Sequence, residues 1–335
     1  MATKVSINGL GRIGRALLKL VIDEPGFDLV AVNDLIDAES LSYLLRFDTV
    51  YGRYQRAVTV EGGELVLDGR RIRTTRIRDP LELPWKQLGI DLVFECTGAL
   101  TKREDLEKHI RAGARTVLLS APSKSADVET VIHGVNARSD TRILSCASCT
   151  TNCITPIVEI IGRRIGFDNA IMTTLHAYTS SQSIVDGPNR HRRRGRAAAA
   201  NLVPTTTGAA LATARALPQY VDRFDGVAVR APVPAGSLAD ITFHTTRKTT
   251  ADEANQILTE EAETRRYRGV IGVSREALVS SDIVGDPRAS IVDLELTKVV
   301  GGDLLKIMSW YDNEYGYANQ MVREARAVSG IERRE

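Results

Sequence analysis

Lys4-Val5-Ser6-Ile7-Asn8-Gly9-Leu10-Gly11-Arg12-Ile13-Gly14-Arg15 is the stretch on which the reading of the fold turns. The run up to Asn8 has the composition of a short buried strand, and the residues from Arg12 to about Ile22 carry apolar positions at helical spacing. Between them stand three glycines at the spacing of a dinucleotide-binding turn. Gly9 allows the tight turn, Gly11 lets the backbone approach a pyrophosphate, and Gly14 lets helix and strand pack closely. The opening amides of such a helix suit an anion. The next apolar run, Asp28 to Asn33, ends at Asp34, 20 residues beyond Gly14. A carboxylate there is expected to accept hydrogen bonds from the adenosine ribose and to repel a 2′-phosphate, which favours NAD over NADP. The plainer reading is an ordinary βα turn with Asp34 capping the next segment; strand, turn, helix and acid agreeing in order outweigh it.

Outward from that turn, apolar runs alternate with helical patterns as far as residue 146: the helical Glu39–Phe47, then Asp91–Glu95, Arg115–Ser120 and Arg142–Cys146. Strands alternating with helices predict an α/β domain, a Rossmann-type doubly wound parallel sheet. A polar hairpin around Glu61, Gly62 and Gly63 is expected as an antiparallel excursion at the sheet edge. After Cys149 the texture changes. A helix from about Thr151 to Arg164 precedes long alternating runs (170–179, 225–233, 237–248, 289–300 and 303–311), which predict an α+β domain on a mostly antiparallel sheet. Near the end, Tyr317, Met321, Val322, Ala325 and Val328 share one face of a helix over Tyr315–Val328.

A chain of 335 residues suggests two domains, and its 43% apolar and 26% charged composition is that of a globular protein. No secretory leader and no long apolar span is evident, and the four cysteines (Cys96, Cys146, Cys149, Cys153) are too clustered for a disulfide framework, so a cytoplasmic, membrane-free location is expected. A net charge of +2 gives no general attraction to nucleic acid, and none is expected as a partner. The one basic run, Arg190 to Arg196, is by default a solvated loop; a nucleic-acid-binding or scaffold role through it is the non-enzymatic alternative.

Cys149 lies in Ser148-Cys149-Thr150-Thr151-Asn152, between a strand and a helix, where the helix N-terminus lowers a thiol pKa and presents amides to an oxyanion. His176, at the end of an apolar run, is the candidate base. A buried filler cysteine and a satisfied core histidine are the competing readings; the hydroxyl and amide neighbours of Cys149 weigh against them. Cys146 and Cys149 form a C-x-x-C pair, but no two further ligands at zinc spacing accompany it, and no metal is expected. Thr205, Thr206, Thr207 and Gly208 precede an alanine-rich helix and suit a phosphate, or simply cap that helix. Arg230 interrupts an apolar strand and needs an anion, either a core carboxylate or a substrate phosphate.

With these residues assembled, INGLGRIGR (7–15), ASCTTNC (147–153), LHAYTSSQSIVDGP (175–188), RRRGRAAA (192–199), PTTTGAA (204–210) and SWYDNEYGY (309–317) closely resemble the phosphorylating glyceraldehyde-3-phosphate dehydrogenases over nearly the whole chain. The resemblance implies a NAD-binding Rossmann domain over 1–148 completed by a C-terminal helix in 313–335, a catalytic domain over 149–312, and a homotetramer. It implies Cys149 as nucleophile, His176 as base and Asn313 on the nicotinamide carboxamide, with Gly9, Arg12, Ile13, Asp34, Thr97 and Ser120 lining the cofactor. Thr179, Ser181, Arg194 and Arg230 would hold the phosphate of glyceraldehyde 3-phosphate; Ser148, Thr150, Thr207 and Gly208 would receive inorganic phosphate. The implied activity belongs to glycolysis and gluconeogenesis, with erythrose-4-phosphate dehydrogenase as the alternative enzyme. Leu10 and Cys146 depart from the usual Phe and Asn, and 235–237 from the usual segment, without removing any of these residues.

Overall fold

The computed structural model describes residues 2–136 and 140–331. The chain divides into two compact units. The first takes the chain up to Val131, the stretch ending at Ala147 and the chain from Met321 onward; the second takes Ser148–Gln320 and a short piece that begins at Ile132. Of the expected terminal segment, 332–335 lie outside the described residues.

In the first unit the strands of the large sheet are β1 (Thr3–Asn8), β2 (Phe27–Asn33), β3 (Val58–Glu61), β4 (Glu64–Leu67), β5 (Arg70–Thr75), β6 (Leu92–Glu95), β7 (Thr116–Leu119), β8 (Glu129–Thr130) and β9 (Ile143–Ser145). They form one sheet in the order β8-β9-β7-β6-β1-β2-β5-β4-β3. Every pairing from β8 to β5 is parallel, and β5-β4-β3 continue antiparallel at the edge, as the polar hairpin predicts. Val5, Ile7, Ala31, Val32, Val93, Phe94, Val117 and Leu118 are all buried, the near-continuous apolar content of strands covered on both faces. Helix α1 (Arg12–Val21) buries Gly14, Ala16, Leu17, Leu18 and Val21, and its N-cap Gly11 offers no side-chain cap. The chain goes to β2 on one side of β1 and later to β6 on the other. That reversal is a topological switch point, where loops at the carboxyl ends separate and leave a crevice.

The second unit holds an eight-stranded sheet: β10 (Phe167–Ala177), β11 (Val203–Thr206), β12 (Phe224–Ala231), β13 (Ser237–Thr245), β14 (Ile271–Ser274), β15 (Ser290–Asp293), β16 (Lys298–Val300) and β17 (Leu304–Tyr311). Pairings β10/β12 and β14/β15 are parallel and the others antiparallel. The α/β class with a mostly antiparallel second sheet is therefore the architecture observed. One expected run, 289–300, is split: Leu296 N donates to Asp293 O in a turn that separates β15 from β16, and Gly301 and Gly302, both at positive φ, fold β16 back on β17. One face of the sheet packs Met172, Ala239, Ile241, Phe243, Leu305 and Ile307 against the apolar side of α2 (Cys149–Arg164) and α3 (Ala251–Glu263). The other face leaves Ile171 62% and Val227 51% exposed.

The last helix, α4 (Tyr315–Val328), buries Tyr317, Met321, Val322 and Ala325 as expected, whereas Val328, in its final turn, is only half-buried. Among the described residues no helix is long and apolar enough to cross a membrane.

Candidate functional site

At the carboxyl ends of β1, β2 and β6 the glycine turn is held by its neighbours. Gly9 has φ +91°, and a Cβ there would stand 2.6 Å from Thr97 N; a Cβ on Gly14 would stand 1.9 Å from Gly9 O. Neither position admits a side chain. A Cβ on Gly11 would meet nothing within 4 Å, so the backbone at the open end of α1 borders free space. Asp34 Oδ2 accepts Leu10 N at 2.6 Å, which fastens the acidic residue to the same turn, and Oδ1 accepts Ile36 N at 3.2 Å. Arg12 reaches Asp48 Oδ2 at 2.5 Å and stacks over Tyr51, and Ile13 is half-buried beside it. Thr97 is exposed after β6, its amide and hydroxyl both donating to Glu95 Oε1 (2.8 and 2.5 Å). Ser120 is half-buried after β7, with its amide on Glu95 O at 2.9 Å. A helix start without a side-chain cap, a glycine-lined opening and a fixed carboxylate together fit a dinucleotide.

In the second unit Cys149 is the first residue of α2. Ala147 just before it is held in the left-handed region (φ 52°), a strained turn for a non-glycine residue. Ser148 Oγ caps the helix, accepting Thr151 N at 3.2 Å. Cys149 Sγ lies 3.4 Å from His176 Nε2. His176, 6% exposed, is the direct register partner of Arg230 in the parallel pair β10/β12. The register therefore sets the guanidinium beside the imidazole: Arg230 Nη1 is 2.6 Å from His176 Nδ1 and donates to Ala177 O at 2.8 Å. His176 Nδ1 is also 2.6 Å from Ala177 O. With Nδ1–H donated to that carbonyl, the guanidinium stands beside the ring as a charge and not as a donor to it, and Nε2 keeps its lone pair for the proton of the thiol or of its adduct.

Electrostatics follow from burial and two arginines. Desolvation first, then Arg230 and Arg194, bring the His176 pKa down to about 3, so the ring is neutral and basic-side free. Burial raises the Cys149 thiol, while Arg230 and the helix amides pull it down. The other cysteines lack that cation: burial pushes Cys153 up to about 12 and drives Cys96 and Cys146 upward as well. Arg194 Nε donates to Thr205 Oγ1 (2.9 Å) and its Nη2 to Thr206 O (3.2 Å). Neither Arg194 nor Arg230 pairs with a carboxylate among the described residues, and Arg230 Nε has no partner among them. The core-carboxylate reading of Arg230 thus has no support, and an anion has two guanidinium groups to meet.

Around these groups, Thr179 Oγ1 and Ser181 Oγ lie 3.0 Å apart on the segment after β10. Thr207 Oγ1 accepts Ala209 N at 3.1 Å, and Gly208 is the N-cap of the helix Ala209–Ala216. Thr150 turns its hydroxyl to the buried Tyr311 OH at 2.9 Å. Tyr311 was not singled out in the sequence. Its hydroxyl also meets Thr174 Oγ1 at 2.8 Å, and its ring stands edge-on to His176 with centroids 6.0 Å apart. It ties the start of α2, β10 and β17 together under the thiol, and the only hint of it is its place in SWYDNEYGY. Asn313 Oδ1 accepts Ser237 Oγ at 3.0 Å, the same hydroxyl that accepts Ala177 N. In the basic run, Arg196 pairs with Asp186 and Arg194 turns onto Thr205.

Residues 148–313 match the family described as glyceraldehyde 3-phosphate dehydrogenase, C-terminal domain, and residues 3–103 the corresponding NAD binding domain. The chain is similar to proteins named glyceraldehyde-3-phosphate dehydrogenase from Zymomonas mobilis (44% identity over 97% of this chain and 98% of that one) and Streptomyces coelicolor (43%, over 96% and 97%). It is similar also to glyceraldehyde-3-phosphate dehydrogenase 1 of Bacillus subtilis (43%, over 96% and 97%). With two family domains matched and relatives above 40% identity along nearly its whole length, the chain belongs to the glyceraldehyde 3-phosphate dehydrogenase family, NAD-dependent oxidoreductases.

Proposed function

We propose that the chain oxidises D-glyceraldehyde 3-phosphate to 1,3-bisphosphoglycerate with NAD and inorganic phosphate, through a thioester on Cys149, in glycolysis or gluconeogenesis. The observation that carries this is the 3.4 Å approach of Cys149 Sγ to a neutral His176, flanked by two arginines without carboxylate partners among the described residues. Thr179, Ser181, Arg194 and Arg230 hold the substrate phosphate and aim the aldehyde carbon at the sulfur. His176 Nε2 takes the thiol proton as the sulfur adds to that carbon and gives it to the oxyanion that develops, which amides at the start of α2 favour. His176 Nε2 then takes the hydroxyl proton of the hemithioacetal. NAD, when bound, supplies the electron acceptor for the oxidation. The thioester left on Cys149 is cleaved by inorganic phosphate received at Ser148, Thr150, Thr207 and Gly208. A substrate phosphate on Arg230 would also offset the repulsion that the guanidinium exerts on a protonated His176, and so aid its role as base.

The nucleotide domain is residues 1–148 completed by the C-terminal helix within 313–335, and the catalytic domain is 149–312. Gly9, Gly11, Arg12, Ile13, Gly14, Asp34, Thr97 and Ser120 line the cofactor, and Asn313 receives its carboxamide. The exposed apolar sheet face around Ile171 and Val227 supports a homotetramer, and a cytoplasmic setting suits a free thiol nucleophile. Rapid-quench mass spectrometry during turnover should find an acyl adduct on the Cys149 peptide. Steady NADH production with no such adduct at any time would contradict the mechanism.

A further inference from the structure

A buried polar belt runs beneath the glycine turn, and its order can be read from donors alone. Trp85 Nε1 can only donate, and it reaches His109 Nδ1 at 3.0 Å. His109 therefore carries its proton on Nε2 and donates to Glu95 Oε2 at 3.0 Å. Asn8 Nδ2 gives to the same oxygen (2.6 Å), while the amide and hydroxyl of Thr97 give to Oε1. Donors thus converge on both oxygens of a fully buried carboxylate. Beyond Asn8 the belt continues through Asn33 to Thr75 and Ile77, across the carboxyl ends of β6, β1, β2 and β5. The Thr97 turn, which these bonds secure, is the one whose amide packs on Gly9.

We propose that Glu95, oriented by His109, is a positioning residue for the nucleotide cofactor, clamping the Thr97 turn against Gly9 so that the cofactor meets a preformed surface. This rests on the reading of those loops as the NAD site. A carboxylate is needed because only an acceptor without hydrogens satisfies every donor. A glutamine would turn an NH2 toward either Thr97 or the Asn8–His109 pair. His109 needs to donate on one side and accept on the other, which a glutamine amide also does and a leucine does not.

Calorimetric titration with NAD tests this on the full-length protein, alongside the KM for aldehyde and phosphate and the rate of Cys149 alkylation. Glu95→Gln should raise the NAD Kd about tenfold or more, with the other three readouts at wild-type level. His109→Gln should bind NAD near the wild-type value and His109→Leu should be weakened like Glu95→Gln, although leucine suits an apolar interior better. If Glu95→Gln does not fold, the split between the two His109 variants decides. Unchanged NAD affinity in Glu95→Gln, or no difference between His109→Gln and His109→Leu, overturns the proposal and leaves the NAD site standing. A wild-type protein that fails to bind NAD would instead remove the site reading itself.

Discussion

Two histidines lie at similar depth in the two units, and their neighbours set them apart. His109 has a partner on each ring nitrogen, Trp85 on one side and Glu95 on the other. His176 faces a thiol through one nitrogen and donates from the other to a carbonyl, with a guanidinium beside it and no carboxylate partner among the described residues. The first surrounding completes a hydrogen-bond network and leaves neither ring nitrogen available to a ligand. The second leaves Nε2 available and holds the ring neutral by burial and by like charge. Depth in the core therefore does not distinguish a histidine closed off by hydrogen bonds from one that turns a nitrogen to a thiol. The sign of the nearest charge and the identity of the second partner do.

The sharpest way to break this contrast is at the thiol. Cys149→Ser should lower turnover by about four orders of magnitude or more and abolish the acylated peptide, whereas NAD titration should still show binding. Next, His176→Asn should slow the oxidation by about 10² to 10⁴, and it carries a pH signature. A folded-state pKa near 3, below the ordinary value of about 6.5, means that the native state binds fewer protons than the unfolded chain between those limits. Stability should therefore fall as pH drops from about 6.5 toward 3, and thermal melts of His176→Asn should show a shallower fall over that window. Melts that run parallel to wild type would mean His176 is not held neutral.

A smaller effect is expected from removing the cation. Arg230→Leu takes away the charge that favours the Cys149 thiolate and disfavours the protonated His176, so both groups should hold their protons to higher pH. The pH profile of Cys149 alkylation should move upward, and the KM for the aldehyde phosphate should rise about tenfold or more. A profile that stays in place would separate Arg230 from the thiol. The least effect belongs to Cys153, one turn further along α2, fully buried against Ser290. Cys153→Ala should cost about 1 kcal/mol of stability and leave turnover close to wild type; an inactive but folded variant would contradict the assignment of a single reactive thiol.

Much of the nucleotide end was legible in the order of residues. Gly9, Gly11, Gly14 and Asp34 act through the backbone of one βαβ unit, where a turn, a helix start and a strand end follow each other along the chain. The positions of α2 and α4 could likewise be read, because capping and helical spacing are local. The thiol site was legible only as a set of residue types. Cys149 and His176 stood out by their flanks, but Arg230 is 54 residues from His176, and its guanidinium arrives there through the parallel register of β10 and β12. Tyr311 is 161 residues from Thr150, and Glu95 gathers donors from Asn8, Thr97 and His109.

Residue order alone determined the α/β architecture, the glycine turn with its acid, and the cysteine at a helix start, since each depends on dihedral preference and spacing within a few turns of chain. Tertiary structure alone decided which histidine turns a nitrogen to a thiol, where the Arg194 and Arg230 guanidinium groups converge, and which carboxylate secures the Thr97 turn. Those depend on strand register and burial, which bring together groups that no local spacing relates.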